Sequence, residues 1–134
     1  MQVYGSQERP NLVAGKSNNP VLEQHVQSDG RVLWFDPLAF ELQPAGTLGN
    51  LGRNTVNGPN FTAVDLAVSK DISLAEGKQL AFRWELFNAL DRANFGQPSS
   101  AIFSNSTTRS ASSGEITSIR GSARQMQFGM KIMF

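Results

Sequence analysis

From Phe61 onward apolar and polar residues alternate with a period of two. Val64, Leu66 and Val68 alternate with Asp65, Ala67 and Ser69, and the even-numbered face continues through Ile72 and Leu74. A second run sets Leu80, Phe82, Trp84 and Leu86 against Ala81, Arg83, Glu85 and Phe87. The last stretch repeats the pattern, with Met126, Phe128, Met130, Ile132 and Phe134 facing one way and Gln125, Gln127, Gly129, Lys131 and Met133 the other. Successive side chains of a strand point to opposite faces, so these runs predict three strands. Their expected spans are Phe61 to Leu74, Lys78 to Leu90 and Ala123 to Phe134. A short piece from Glu115 to Arg120 and a kink or bulge at Gly121 precede the last.

The first two runs flank Ala75-Glu76-Gly77. A three-residue hairpin loop with Gly at its left-handed position predicts Leu74 opposite Lys78, Val68 opposite Trp84 and Leu66 opposite Leu86. An odd loop length keeps both apolar faces on one side, whereas a two-residue loop sets Leu66 against Glu85. The runs of about thirteen residues exceed the about five or six of an ordinary strand and suffice for a tilted membrane strand of about nine to eleven. The expected fold class is therefore all-β, an antiparallel meander of about three long strands, a hairpin plus the C-terminal strand, with long loops. Two solvents fit this pattern. In a transmembrane β-barrel, Val64, Leu66, Val68, Phe82, Trp84, Leu86, Phe128 and Met130 face lipid. Arg83, Glu85, Asp65 and Ser69 then form a lumen charge cluster, and Lys70 and Lys78, near the turn, either lay their stems along the apolar belt or are simply solvated beside the hairpin. In a soluble secreted or surface β-domain with adhesive or carbohydrate-binding loops, Val64, Leu66, Phe82, Trp84 and Phe128 form one core face.

The remaining chain reads as turn and loop chemistry. Residues 1–60 carry Pro at 10, 20, 37, 44 and 59 with frequent Gly and Asn. Val32-Leu-Trp-Phe35 and Leu38-Ala-Phe-Glu-Leu42 are short pieces that fit a strand or a helical turn. Trp34 and Phe35 are candidates for a ligand grip or for packing, with packing preferred. Residues 61–134 form the strand-bearing part, interrupted by a loop at about 91–122. Within it, the Ser/Thr/Asn-rich stretch from Ser99 to Gly114 has Ile102 and Phe103 as its bulky apolar residues and is expected to be mobile.

Composition removes several functions. The 134 residues allow one small domain, and a net charge of +1 with no basic patch argues against a nucleic-acid partner. Without cysteine there is no disulfide framework, thiolate metal site or Cys nucleophile. His25 is the single histidine and sits in a polar stretch, so neither a catalytic triad nor an imidazole metal cluster is expected, and His25 reads as a solvated loop residue. Gly46-Thr-Leu-Gly-Asn-Leu-Gly52 lacks the Lys and the strand-to-helix context of a phosphate loop. No enzyme and no cofactor is expected. No run of eighteen apolar residues is present, and the mean hydropathy is −0.27. Alternating barrel strands escape both tests. Met1 to Arg9 lacks the basic and apolar regions of a secretory leader, which an outer-membrane protein needs. Under the barrel reading the chain is thus expected to be the tail of a longer protein.

Two resemblances narrow the choice. Gln127, Gly129, Ile132 and Phe134 resemble the C-terminal assembly signal of bacterial outer-membrane barrels, with a polar residue, Gly two later, and apolar residues at the antepenultimate and final positions. That resemblance implies recognition of the last strand by the barrel-assembly machinery. More broadly, an ordered set spans almost the whole chain: Arg9-Pro-Asn-Leu-Val13, Trp34-Phe-Asp-Pro-Leu-Ala-Phe40, Gly46 to Asn54, Asn57-Gly-Pro-Asn-Phe61, Phe87-Asn-Ala-Leu-Asp-Arg92 and Asn94-Phe-Gly-Gln-Pro98. Together they resemble the C-terminal β-barrel end of Oar-like TonB-dependent outer-membrane receptors. The resemblance implies a fragment of a large barrel of about twenty-two strands, plugged by an N-terminal domain and involved in substrate uptake. It also implies location in the cell outer membrane of the Gram-negative type and a turn at Ala75 to Gly77 on the periplasmic side. Residues 1–60 and 91–122 would lie outside. The implied partners are outer-membrane lipid, the remaining barrel strands and plug, the assembly machinery, and TonB only through the N-terminal part that this chain lacks.

Overall fold

The computed structural model describes residues 9–75 and 77–134. The leader reading of Met1 to Glu8 and the middle of the turn, Glu76, lie outside the described residues. Among the described residues, seven strands and one short helix follow in order: β1 (Asn11–Leu12), the 3₁₀ helix (Pro37–Ala39), β2 (Phe40–Glu41), β3 (Leu66–Ala75), β4 (Lys78–Phe87), β5 (Asn94–Phe95), β6 (Ile119–Arg120) and β7 (Gln125–Met133). The fold class is all-β and antiparallel. The chain divides into two compact units, the described residues up to Pro59 with Phe95–Ser118, and Asn60–Asn94 with Ile119–Phe134.

The second unit is a three-stranded antiparallel sheet in the order β3-β4-β7. Leu66 stands opposite Leu86 and Val68 opposite Trp84, as the alternation requires. Across the other edge of β4, Trp84 meets Phe128, Phe82 meets Met130 and Leu86 meets Met126. At the turn the register departs from expectation. Ala75, not Leu74, faces Lys78, because the ladder slips by one residue between Ser73 and Ala75. This bulge leaves Leu74 as the extra residue. Gly77 keeps the left-handed conformation, with φ 74.

The strands are also shorter than their alternation, with 10, 10 and 9 residues. Polar side chains end them. Asn88 turns left-handed at φ 47, so β4 stops at Phe87 instead of Leu90. Its backbone N–H then donates to Asp65 Oδ1 at 2.9 Å instead of to a strand carbonyl, which closes β3 at Leu66 rather than Phe61. The Asn88 carboxamide donates to the carbonyls of Arg92 and Ser122 and accepts from the Arg92 N–H. Asn94 does the same for Thr62, bonding both its N–H and its carbonyl at 2.9 Å. Gly121 takes φ 80, the expected kink, and the last strand starts at Gln125 rather than Ala123.

The first unit owns the hydrophobic core. Phe35, Ala39, Phe40, Leu51, Ile102 and Phe103 are buried together, with Leu12, Trp34, Leu42 and Val56 packed around them. Phe35 and Phe40 meet edge to face at 5.9 Å, a favoured aromatic geometry. The piece from Leu38 to Leu42 is both of the shapes its sequence allowed. Asp36 caps the 3₁₀ turn through Leu38 N–H at 2.8 Å, Pro37 supplies its first position, and Phe40–Glu41 then pair with Asn11–Leu12.

Ser99 to Gly114 is not the mobile loop its composition predicts. Ile102 and Phe103 are core residues, Ser113 is buried, and the backbone is tied down by Trp34 N–H to Gly114 O, Ile116 N–H to Val32 O and Ser99 N–H to Glu115 O, each 2.8 or 2.9 Å. Two apolar residues suffice here because burying them removes water from area that the N-terminal loops also need covered. Phe35 is fully buried, whereas Trp34 stacks on His25 at 4.1 Å and donates Nε1 to Asn57 O at 2.6 Å. His25 is therefore half-buried between Trp34 and the Leu33 carbonyl rather than freely solvated.

Candidate functional site

The candidate site is the apolar side of the β3-β4-β7 sheet. Register brings its residues into rows: Val68, Trp84 and Phe128 in one, Lys70, Phe82 and Met130 in the next, Leu66, Leu86 and Met126 in a third. Phe128 lies against both aromatics of β4, 6.4 Å from Trp84 and 6.2 Å from Phe82. The stripe is nevertheless open to its surroundings. Phe128 is 65% exposed, Met130 71% and Val68 53%, and Val64, Leu66, Ile72, Met126 and Ile132 are exposed as well. Trp84 and Leu86, on the central strand, are half-buried by their neighbours. Burying one such side chain is worth about 1.5–3 kcal/mol, so this row of uncovered groups has a cost in water.

The structure thus overturns the core-face reading of Val64, Leu66, Phe82 and Phe128, since all four are exposed. No second layer among the described residues seals them. Val64 lies just outside β3 and lends its carbonyl to Ala89 N–H at 2.8 Å. Lys70, which the sequence placed near the turn, stands opposite Phe82 inside the apolar stripe, five positions before the end of β3. Its even number, shared with Val68 and Ile72, is the signal in the sequence that could have placed it on this face.

The other side of the sheet is polar. Ser69 faces Arg83, which faces Gly129, and Ala67 faces Glu85, which faces Gln127. Glu85 accepts from Arg83 Nη2 through one carboxylate oxygen and from Gln127 Nε2 through the other, a charge cluster that spans β4 and β7. Of the terminal residues, Gln127 and Gly129 lie on this polar side, Ile132 stands opposite Leu80 on the apolar side, and Phe134 follows β7 at 96% exposure. Three paired strands of nine or ten residues, greasy on one side and polar on the other, have the length and the patterning of tilted membrane strands.

The outer membrane beta barrel domain family matches the sequence over residues 1–127. The chain belongs to this family. It is an outer-membrane β-barrel protein, and the stripe described above lies on strands of a barrel domain. The match takes in the whole loop-rich first unit as well as β3 and β4, so those loops are part of the barrel domain's own pattern. Gly129, Ile132 and Phe134 follow the matched residues. No curated protein matches the chain, and no solved structure does.

Proposed function

We propose that this chain supplies the C-terminal barrel strands of an Oar-like TonB-dependent receptor that takes up a substrate across the outer membrane. The observation that carries the membrane part is the exposed apolar stripe opposite the Arg83, Glu85 and Gln127 cluster. In this reading Val64, Leu66, Val68, Phe82, Trp84, Leu86, Phe128 and Met130 face lipid tails. The polar side faces a wet lumen, where an ion pair is solvated. The receptor part is supported by the ordered motifs from Arg9 to Pro98.

β3 and β7 are edges, and hydrocarbon cannot satisfy unpaired backbone groups, so further barrel strands pair with both. A plug and TonB act through other parts of that receptor. β7 carries the signal read by the barrel-assembly machinery. Gly129 supports this role, because the sheet does not require glycine there. Its φ is not left-handed, and a Cβ would meet Arg83 only at an ordinary 3.9 Å. The role is structural and transport-related, with no catalytic step.

The chain has no native Cys, so single cysteines report cleanly on each face. In outer membranes, cysteines at 128 and 130 should react with a lipid-soluble maleimide and resist a charged one, and cysteines at 127 and 131 should do the reverse. Equal reactivity of both sets with the charged reagent defeats the membrane assignment. Uptake that persists unchanged in a TonB-deficient strain defeats the receptor assignment.

A further inference from the structure

The first unit contains a cleft of about 160 Å³ between the segment from Leu51 to Gly58 and the segment from Gln97 to Ser100. Its floor is apolar, made by Phe35 and Leu51, which are buried, with Val56 and Pro98 along the walls. Its rim is polar and uncharged. Asn54, Asn57, Gln97 and Ser100 line it, and no Lys, Arg, Asp or Glu does so among the described residues.

The walls are held firmly while their side chains are left to spare. The backbone of Asn57 is fixed at both ends, its N–H by Asn19 Oδ1 at 2.9 Å and its carbonyl by Trp34 Nε1 at 2.6 Å. The side chains of Asn54, Gln97 and Ser100 make no hydrogen bond within the described residues. At Gly58 a Cβ would stand 3.4 Å from Gln97 Oε1, so the two walls approach to side-chain contact there.

This chemistry selects a ligand class. A carboxamide presents a donor and an acceptor side by side, which matches a hydroxyl that both gives and takes. A charged ligand would lose hydration and find no counter-charge. An apolar cavity of about 150 Å³ holds one benzene ring, so this cleft has room for a single six-membered ring, and its rim demands one that carries polar groups. We propose that this cleft binds one neutral polyhydroxylated ring, a pyranose unit at the end of a saccharide, with its C–H face on the apolar floor and its hydroxyls on the amide rim. This names a substrate class for the uptake reading and rests on that reading for its purpose, though not for the binding itself.

The test uses the protein purified from outer membranes in detergent, with methyl glucopyranoside, methyl galactopyranoside and maltotriose as probes and glucuronate and glucosamine as charged controls. The Trp34 indole resonance, coupled to the cleft wall through Asn57, should shift on adding at least one neutral probe and not with the controls. Gln97→Ala and Ser100→Ala, both on exposed positions, should each weaken binding by roughly three- to tenfold, the size expected for one lost neutral hydrogen bond. Gln97→Ala and Ser100→Ala combined in one protein should weaken binding by roughly ten- to hundredfold, the product of the two single losses, while leaving the free protein's Trp34 resonance in place. No shift with any neutral probe, or a shift of undiminished affinity when Gln97→Ala and Ser100→Ala are combined, overturns the proposal. Binding without TonB-dependent uptake would sink the receptor reading alone, and TonB-dependent uptake without binding in the cleft would sink this one alone.

Discussion

Gly49 shows how little space the first unit leaves. A Cβ there would lie 1.8 Å from the carbonyl oxygen of Arg9, so the two backbones are in direct contact. The approach is locked by reciprocal Asn11 and Asn50 bonds, Leu12 N–H to Asn50 Oδ1 at 2.7 Å and Asn50 N–H to Asn11 Oδ1 at 3.0 Å. Gly49→Ala should therefore cost about 1–3 kcal/mol by overpacking, seen as faster hydrogen exchange at Leu12 and Leu51 with the sheet unaffected. Arg109 is a second such point. Its guanidinium donates to the carbonyls of Pro37 and Phe40 and lies 5.1 Å over the Phe103 ring, with no carboxylate partner among the described residues. Arg109→Met should destabilise the unit by roughly 1–3 kcal/mol because two carbonyls lose a charged donor, and a thermal melt of this unit would record it. Asp29 is held below the usual carboxylate range by its hydrogen bonds from Arg31. A depressed carboxylate helps above its ordinary pKa and ceases to help as pH falls through the lowered one, so the Asp29 carboxyl resonance should titrate below a peptide Asp while neutral-to-alkaline pH leaves the clasp intact.

At the scale of elements, β7 concentrates the membrane argument, because its two faces differ so sharply. Met130→Lys should cost about 2–4 kcal/mol near the bilayer midplane and less toward the interfaces, whereas Lys131→Gln on the opposite face should cost little. Heat-modifiable mobility of the outer-membrane protein on gels measures the folded fraction of each. Equal losses for the two would mean that the faces are not in different solvents. Lys70 tests the same idea in reverse. It occupies a stripe position opposite Phe82, and its long stem lets the ammonium reach away from apolar neighbours while the methylenes stay among them.

At the scale of the whole molecule, three strands leave two edges and an uncovered apolar side, so the isolated 134 residues should aggregate in plain buffer and stay dispersed only in detergent. A sharp cooperative melt without detergent would contradict this. The first unit has its own buried aromatics and should keep more protection than the sheet under those conditions.

Period-two alternation by itself located the three strands and the side each residue takes, and together with the odd spacing between the first two runs it yielded the pairing of Leu66 with Leu86 and Val68 with Trp84, because both signals are carried by neighbouring residues. The ordered motifs located the chain in a barrel family for the same reason, being carried by residues in sequence. Tertiary structure alone decided the rest. The bulge at Leu74 and the early strand ends depend on which partners the ladder and the Asp65 and Asn88 side chains find across the sheet. The burial of Ile102 and Phe103 with Phe35 and Phe40, and the cleft beside them, join segments far apart in the chain. Such contacts are stabilised by apolar area shared between distant loops, which no window of neighbouring residues contains.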